Sequence, residues 1–79
     1  MELIEIRAET AGSILKILVA PDDQVDVEDV VMILESMKME IPIVAPCAGR
    51  VTEILVAEGT SVSGNQLIAI LARVERDVR

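Results

Sequence analysis

Lys38 is one of only two lysines in the 79-residue chain, and it stands between two methionines in Glu35-Ser36-Met37-Lys38-Met39-Glu40. A primary amine flanked by two flexible apolar side chains is an odd choice for a surface turn. Adaptable, polarizable Met side chains are favoured where a surface has to be recognised. The residue pattern leaves two arrangements open. In one, residues 36–41 alternate along a strand, with Met37, Met39 and Ile41 inward and Ser36, Lys38 and Glu40 outward. In the other, the chain reverses here and exposes Met37 or Met39 beside the cation. Cys47, the single thiol, lies in an apolar, strand-like stretch with no neighbouring base. It is expected to be a small core or semi-exposed residue rather than a reactive nucleophile. The acidic run Asp22, Asp23, Asp26, Glu28, Asp29 lacks the central Gly and the bidentate Glu of an EF-hand loop. It reads as a solvated loop, able to help steer the chain towards basic partners.

Missing residue types exclude much other chemistry. The chain contains no His, Trp, Tyr or Phe. Without His it lacks the usual general base near neutral pH and the commonest metal ligand, so no metal site is expected. A Ser-His or Cys-His nucleophilic pair cannot be assembled from this chain alone. Fourteen acidic residues against seven basic ones give a net charge of −7, and no aromatic ring is available for base stacking. Nucleic acid is therefore not an expected partner. The uncharged runs are too short to span a bilayer, and no signal or transit peptide is recognisable. A lone Cys forms no internal disulfide. These features lead to the expectation of a non-catalytic domain of the cytoplasm, or of an organelle matrix, with no membrane partner.

A lysine displayed in this way needs elements that hold it at an edge of the fold. Val, Ile and Thr supply 24 of the 79 residues, and β-branched side chains suit pleated strands. The apolar runs are short and broken at Ala20-Pro21-Asp22-Asp23, Glu58-Gly59-Thr60 and Ser63-Gly64-Asn65, which predicts many short strands. Sliding the sequence against itself by 37 residues lays 4–34 over 41–71 without gaps, with 12 of 31 pairs identical. Ile17-Leu18-Val19-Ala20 recurs as Ile54-Leu55-Val56-Ala57, and Gly12 recurs as Gly49. Two copies are too few for a solenoid. Two halves of about four strands, neither able to cover its own apolar face, are expected to pack about a pseudo-two-fold axis.

The repeat also fixes faces and ends. Lys16 and Glu53 are equivalent and should point outward, with Ile17, Ile54, Val19 and Val56 inward. Gly12 and Gly49 should serve backbone geometry at strand starts. The junction 35–40 corresponds to Ala72-Arg73-Val74-Glu75-Arg76, so it should lie at the end of the molecule opposite the termini. The repeat also requires a reversal between Leu34 and Ile41, which favours an exposed Met37 or Met39.

At this junction the sequence resembles the biotinyl/lipoyl attachment domain family. Glu35–Glu40 is similar to the family's biotin-attachment motif, a Lys between two Met residues. Ala45-Pro46-Cys47-Ala48-Gly49-Arg50-Val51 is similar to the family's Ala-Pro…Gly-x-Val segment, with a weaker echo in Thr10-Ala11-Gly12-Ser13-Ile14. The resemblance covers nearly the whole chain and implies an all-β fold. That fold is a flattened β-barrel or sandwich of two four-stranded antiparallel sheets with internal pseudo-two-fold symmetry, a barrel-sandwich hybrid. It would make residues 1–79 one domain, with half-repeats 4–34 and 41–71 joined by an attachment hairpin at 35–40. Ser36 departs from the Ala that many biotinyl domains have before the first Met. Asp22, Glu28 and Asn65 stand where the family often has Gly; Asn and Asp tolerate left-handed backbone better than Glu28 does. No inserted protruding segment and no Pro/Ala-rich linker is present, so the chain resembles either an excised carboxylase domain or a small free-standing attachment protein.

The resemblance implies biotin in amide linkage to Lys38, with Met37 and Met39 as recognition residues and Glu35, Ser36 and Glu40 completing the hairpin. The implied partners are a biotin protein ligase, a biotin carboxylase that loads the carboxyl group, and a carboxyltransferase that passes it on. A tethered arm serving both sites works at high effective concentration. A lysine amine is protonated near neutral pH, so the ligase would assist its deprotonation. The alternative within the family is a lipoyl carrier, with lipoate on Lys38. Lipoyl domains usually present Asp-Lys-Ala where this chain has Met-Lys-Met, whereas the small attachment proteins can take either group. An unmodified structural adaptor, the alternative from another class, has no reason to keep Lys between two Met residues.

Overall fold

The computed structural model describes residues 2–74, whose regular structure is entirely β. The strands are β1 (Leu3–Arg7), β2 (Gly12–Ile17), β3 (Gln24–Val25), β4 (Val30–Ser36), β5 (Met39–Val44), β6 (Gly49–Ile54), β7 (Ser61–Val62) and β8 (Leu67–Arg73). They form two four-stranded antiparallel sheets, ordered β1-β8-β6-β3 and β5-β4-β2-β7. A shift of 37 residues carries β2 onto β6, β3 onto β7 and β4 onto β8, and converts one sheet order into the other. The all-β architecture of two pseudo-symmetric sheets is thus as the sequence predicts. Each sheet mixes strands of both halves, because neither half alone has an apolar partner layer. No helix among the described residues is long and apolar enough to cross a membrane. Of the second-half counterpart of the junction, Glu75 and Arg76 lie outside the described residues.

The core is made of repeat-mates. Ile6 and Ile43, Ile14 and Val51, Val31 and Ile68, and Leu34 and Leu71 are all buried. Met32 and Ala69 are buried at equivalent positions, so a large side chain in one half has a small counterpart in the other. Full burial of an aliphatic side chain of this size contributes roughly 1.5–3 kcal/mol, and with no aromatic ring in the chain the core is aliphatic, these residues being joined by Ala8, Val25, Ala45 and Val62. Ile17, Ile54, Val19 and Val56 pack against it from the rim, while Lys16 and Glu53 are exposed, as alternation predicts. The alternation is interrupted at matched places. Leu15 between Ile14 and Lys16, and Thr52 between Val51 and Glu53, fall at register shifts. These bulges place Leu15 and Lys16 side by side on the outside.

Gly12 and Gly49 answer one need in both halves. A Cβ on Gly12 would collide with the Glu35 carbonyl oxygen, and one on Gly49 would stand 2.5 Å from that of Ala72. Four turns also repeat: 20–23 matches 57–60, and 26–29 matches 63–66. Each has a positive φ at its third residue, at Asp22, Glu28, Gly59 and Asn65, the signature of a type II turn. Glu28 is held there by its N–H, which donates to the Ala45 carbonyl at 2.8 Å; Asn65 does the same to Ala8 at 2.8 Å. The fourth residue closes each turn through its side chain. Asp23 accepts from the Ala20 N–H at 2.9 Å, and Asp29 from the Asp26 N–H at 2.8 Å. Gln66 accepts from the Ser63 N–H at 2.8 Å, and the Thr60 hydroxyl donates to the Ala57 carbonyl at 2.6 Å. Within the acidic run, Asp23 and Asp29 are thus turn-closing residues. Cys47 is half-buried but lies in the bend joining β5 to β6 rather than in a strand. Pro46, which has no N–H for a ladder, ends the strand pattern just before it.

Candidate functional site

The β4–β5 ladder runs from Val30 opposite Val44 up to Ser36 opposite Met39, and closes over the two residues Met37 and Lys38. Both have positive φ, 53° and 65°. A two-residue loop with both residues left-handed is a type I′ turn, whose twist matches that of the paired strands. Asn-Gly is the usual occupant. Met and Lys each cost about 1–2 kcal/mol in this conformation, so the ladder beneath them imposes it. The local sequence carries no sign of this turn; the long β4–β5 pairing dictates it.

The reversal decides between the two arrangements of residues 36–41. Met37 is 92% exposed and Met39 62% exposed, so the strand in which both point inward does not form. Antiparallel neighbours must be joined by a turn, and the turn falls at Met37-Lys38. Ile41 does pack against the core. Lys38 is exposed and, among the described residues, forms no hydrogen bond or ion pair. Glu35 and Glu40 stand directly opposite each other, both exposed. Like charges in that relation oppose strand pairing. Ser36 is half-buried beside Met39. The second lysine, Lys16, lies on β2 level with Ile33, on the outer face of the sheet.

Pairing also places the tip within the molecule. Leu3 lies opposite Ala72 at the end where β1 begins. β1 runs away from that end, and the chain re-enters the other sheet at Gly12, next to Ser13, which pairs with Glu35. The Met37-Lys38 turn and the start of β1 are therefore at opposite ends. Gly12 is the structural support that motif reading passes over: it lets β2 approach the Glu35 carbonyl just below the tip. Its recurrence as Gly49 is the sequence signal that marks it. The arrangement offers an uncommitted primary amine, held clear of the body by a rigid hairpin and bordered by two apolar side chains. It contains no group of three or more His, Cys, Asp or Glu placed to hold a metal among the described residues.

Known proteins resemble this chain in sequence and in fold. Residues 4–71 match the family described as "Biotin-requiring enzyme". A biotinylated protein TB7.3 homolog from Mycobacterium leprae is 41% identical over 68 residues, 86% of this chain and 96% of that protein. A biotin carboxyl carrier protein from Streptococcus mutans is 48% identical over 64 residues, 80% of this chain and 49% of that protein. Among solved structures, the urea carboxylase of Kluyveromyces lactis superposes with a TM-score of 0.86 at 30% identity, over 91% of this chain and 6% of the carboxylase. The family match spans both half-repeats and the Met37–Met39 tip, and the chain belongs to the biotinyl/lipoyl attachment domain family.

Proposed function

We propose that this chain is a biotin carboxyl carrier in which Lys38 holds biotin through an amide to its Nζ. The observation that carries the reading is the exposed Lys38 amine, without a partner among the described residues, at the tip of a two-residue turn. The residues present fit such a group: no side chain has to be displaced from the amine, and Met37 and Met39 offer apolar contact beside it. Acylation removes the only cation of the Glu35–Glu40 segment and leaves its two carboxylates. Bound biotin would supply the ureido ring that holds a carboxyl group for transfer. The β4–β5 ladder fixes the root of the arm, and the type I′ turn keeps that root away from the body. Among the described residues no side chain hydrogen-bonds to Lys38, so preparing its amine for acylation falls to the ligase.

In this reading the chain catalyses nothing itself. Its partners are a biotin protein ligase, a biotin carboxylase and a carboxyltransferase, and the last of these determines the acceptor. Intact-mass measurement after co-expression with a biotin protein ligase tests the proposal. The expected result is one amide-linked biotin, lost in Lys38→Ala and kept in Lys16→Ala. Modification by a lipoate ligase alone makes the chain a lipoyl carrier. No adduct with either ligase overturns the carrier reading in favour of an unmodified adaptor.

A further inference from the structure

The outer faces of the two sheets occupy equivalent positions in the repeat, yet they differ in character. Across β1, β8 and β6, Glu5, Ile70 and Glu53 form one row. Arg7 beside them pairs with Glu5 at 2.7 Å. Across β5, β4 and β2 the equivalent row is Pro42, Ile33 and Lys16. Val44 and Val30 form the next row, and Leu18 is tied to it by its N–H, which donates to the Val31 carbonyl at 2.9 Å. Leu15, Leu18 and Val44 are 41%, 49% and 40% exposed. Position by position, Glu5 becomes Pro42, Arg7 becomes Val44, Thr52 becomes Leu15, and Glu53 becomes Lys16. The first face shows that the fold accepts polar side chains at these four places, while Leu18, Val30 and Ile33 have the apolar mates Leu55, Leu67 and Ile70. The repeat therefore gives no folding reason for apolar side chains at Leu15, Pro42 and Val44, on the sheet that carries Lys38.

We infer that this outer face of β5, β4 and β2 is the surface by which the biotin protein ligase grips the domain, an inference that rests on the Lys38 reading. The occupant it fits is an apolar surface bearing a carboxylate opposite Lys16, the one cation in the patch. Charge argues against a second copy of this chain, since each carries −7. Reach selects the ligase. A bare Lys38 amine extends no further than its own four-carbon stem, so the enzyme that acylates it must hold the body. Enzymes that act on the end of a long arm are freed from that need. Ile33 and Ser36 share strand β4, which fixes the distance between the gripped face and the presented amine.

Steady-state biotinylation by purified biotin protein ligase tests the inference. The variant Leu15→Thr/Lys16→Glu/Pro42→Glu/Val44→Arg gives the apolar face the residues of its repeat-mate. It is expected to raise KM about tenfold with kcat unchanged, the mark of binding lost equally from ground and transition states. Lys16→Glu alone should raise KM about threefold, and the difference from wild type should shrink as salt is added. Glu53→Lys on the opposite face should leave both constants unchanged. An unchanged KM in the exchanged variant, with its circular dichroism intact, overturns the inference. If that variant does not fold, Lys16→Glu/Leu18→Ser decides in its place by the same criterion. A wild-type chain that the ligase does not modify overturns the Lys38 reading, and the docking surface with it.

Discussion

The two ends of the molecule rise from the same foundation and are finished differently. At one end Gly12 lies against the Glu35 carbonyl; at the other Gly49 lies against the Ala72 carbonyl. Beyond Gly49 the structure satisfies itself. Ala72 is buried, the Arg73 N–H donates to the Glu2 carbonyl at 2.8 Å, and the Arg73 guanidinium meets the Glu2 carboxylate at 3.3 Å. Beyond Gly12 the backbone pairing continues through Ser36 opposite Met39, but among the described residues no ion pair closes it. The equivalent of Ala72 is the exposed Glu35, which faces Glu40, and two left-handed non-glycine residues cap the strands. The demands of the scaffold therefore reach as far as Gly12 and stop. Above that level the residues oppose local stability, as expected where a surface is kept for a partner.

The strongest way to break this comparison is at its shared foundation. Gly12→Ala and Gly49→Ala should each destabilise the fold by about 2–3 kcal/mol, measured by chemical denaturation. Unequal losses would show that the two carbonyl contacts are not equivalent supports. The next test replaces the strained tip with the residues its geometry favours. Met37→Asn/Lys38→Gly should gain about 1–2 kcal/mol while abolishing biotin attachment. A melt no higher than the parent's would show that the tip holds no strain. Smallest is the relief of facing like charges. Glu40→Lys should gain about 0.5 kcal/mol, a gain that added salt should diminish.

What could be read from the sequence depended on whether a feature repeats. Gly12 and Gly49, Ile6 and Ile43, and Leu34 and Leu71 recur because the same packing is solved twice, and the alignment of the halves placed Ile17, Ile54, Val19 and Val56 inward, where they line the rim of the core. The outward Lys16 and Glu53 followed from the same register. The bulges at Leu15 and Thr52 stayed hidden, because an apolar pattern shows a period but not where pairing skips a residue. The type I′ turn was hidden for another reason: Met37-Lys38 lacks the Asn or Gly by which such turns are recognised, and long-range pairing overrides local preference. Cys47 misled in the opposite sense, its apolar neighbours suggesting a strand where Pro46 starts a bend. In the acidic loop, charge concealed function, since Asp23 and Asp29 close turns with the carboxylates that made the run look merely solvated.

The interleaving of the halves has a kinetic consequence. β4 and β5 are joined by two residues, and a hairpin of that kind pairs within about 1–10 μs. β1, by contrast, must wait for β8, from which it is separated by almost the whole chain. Folds dominated by such distant pairings complete in milliseconds to seconds. The tip is therefore among the first structures the chain can form and among the last to be mounted on a finished body. During synthesis the first half has no partner sheet to close upon. An enzyme that grips the folded domain has no substrate until β8 has emerged.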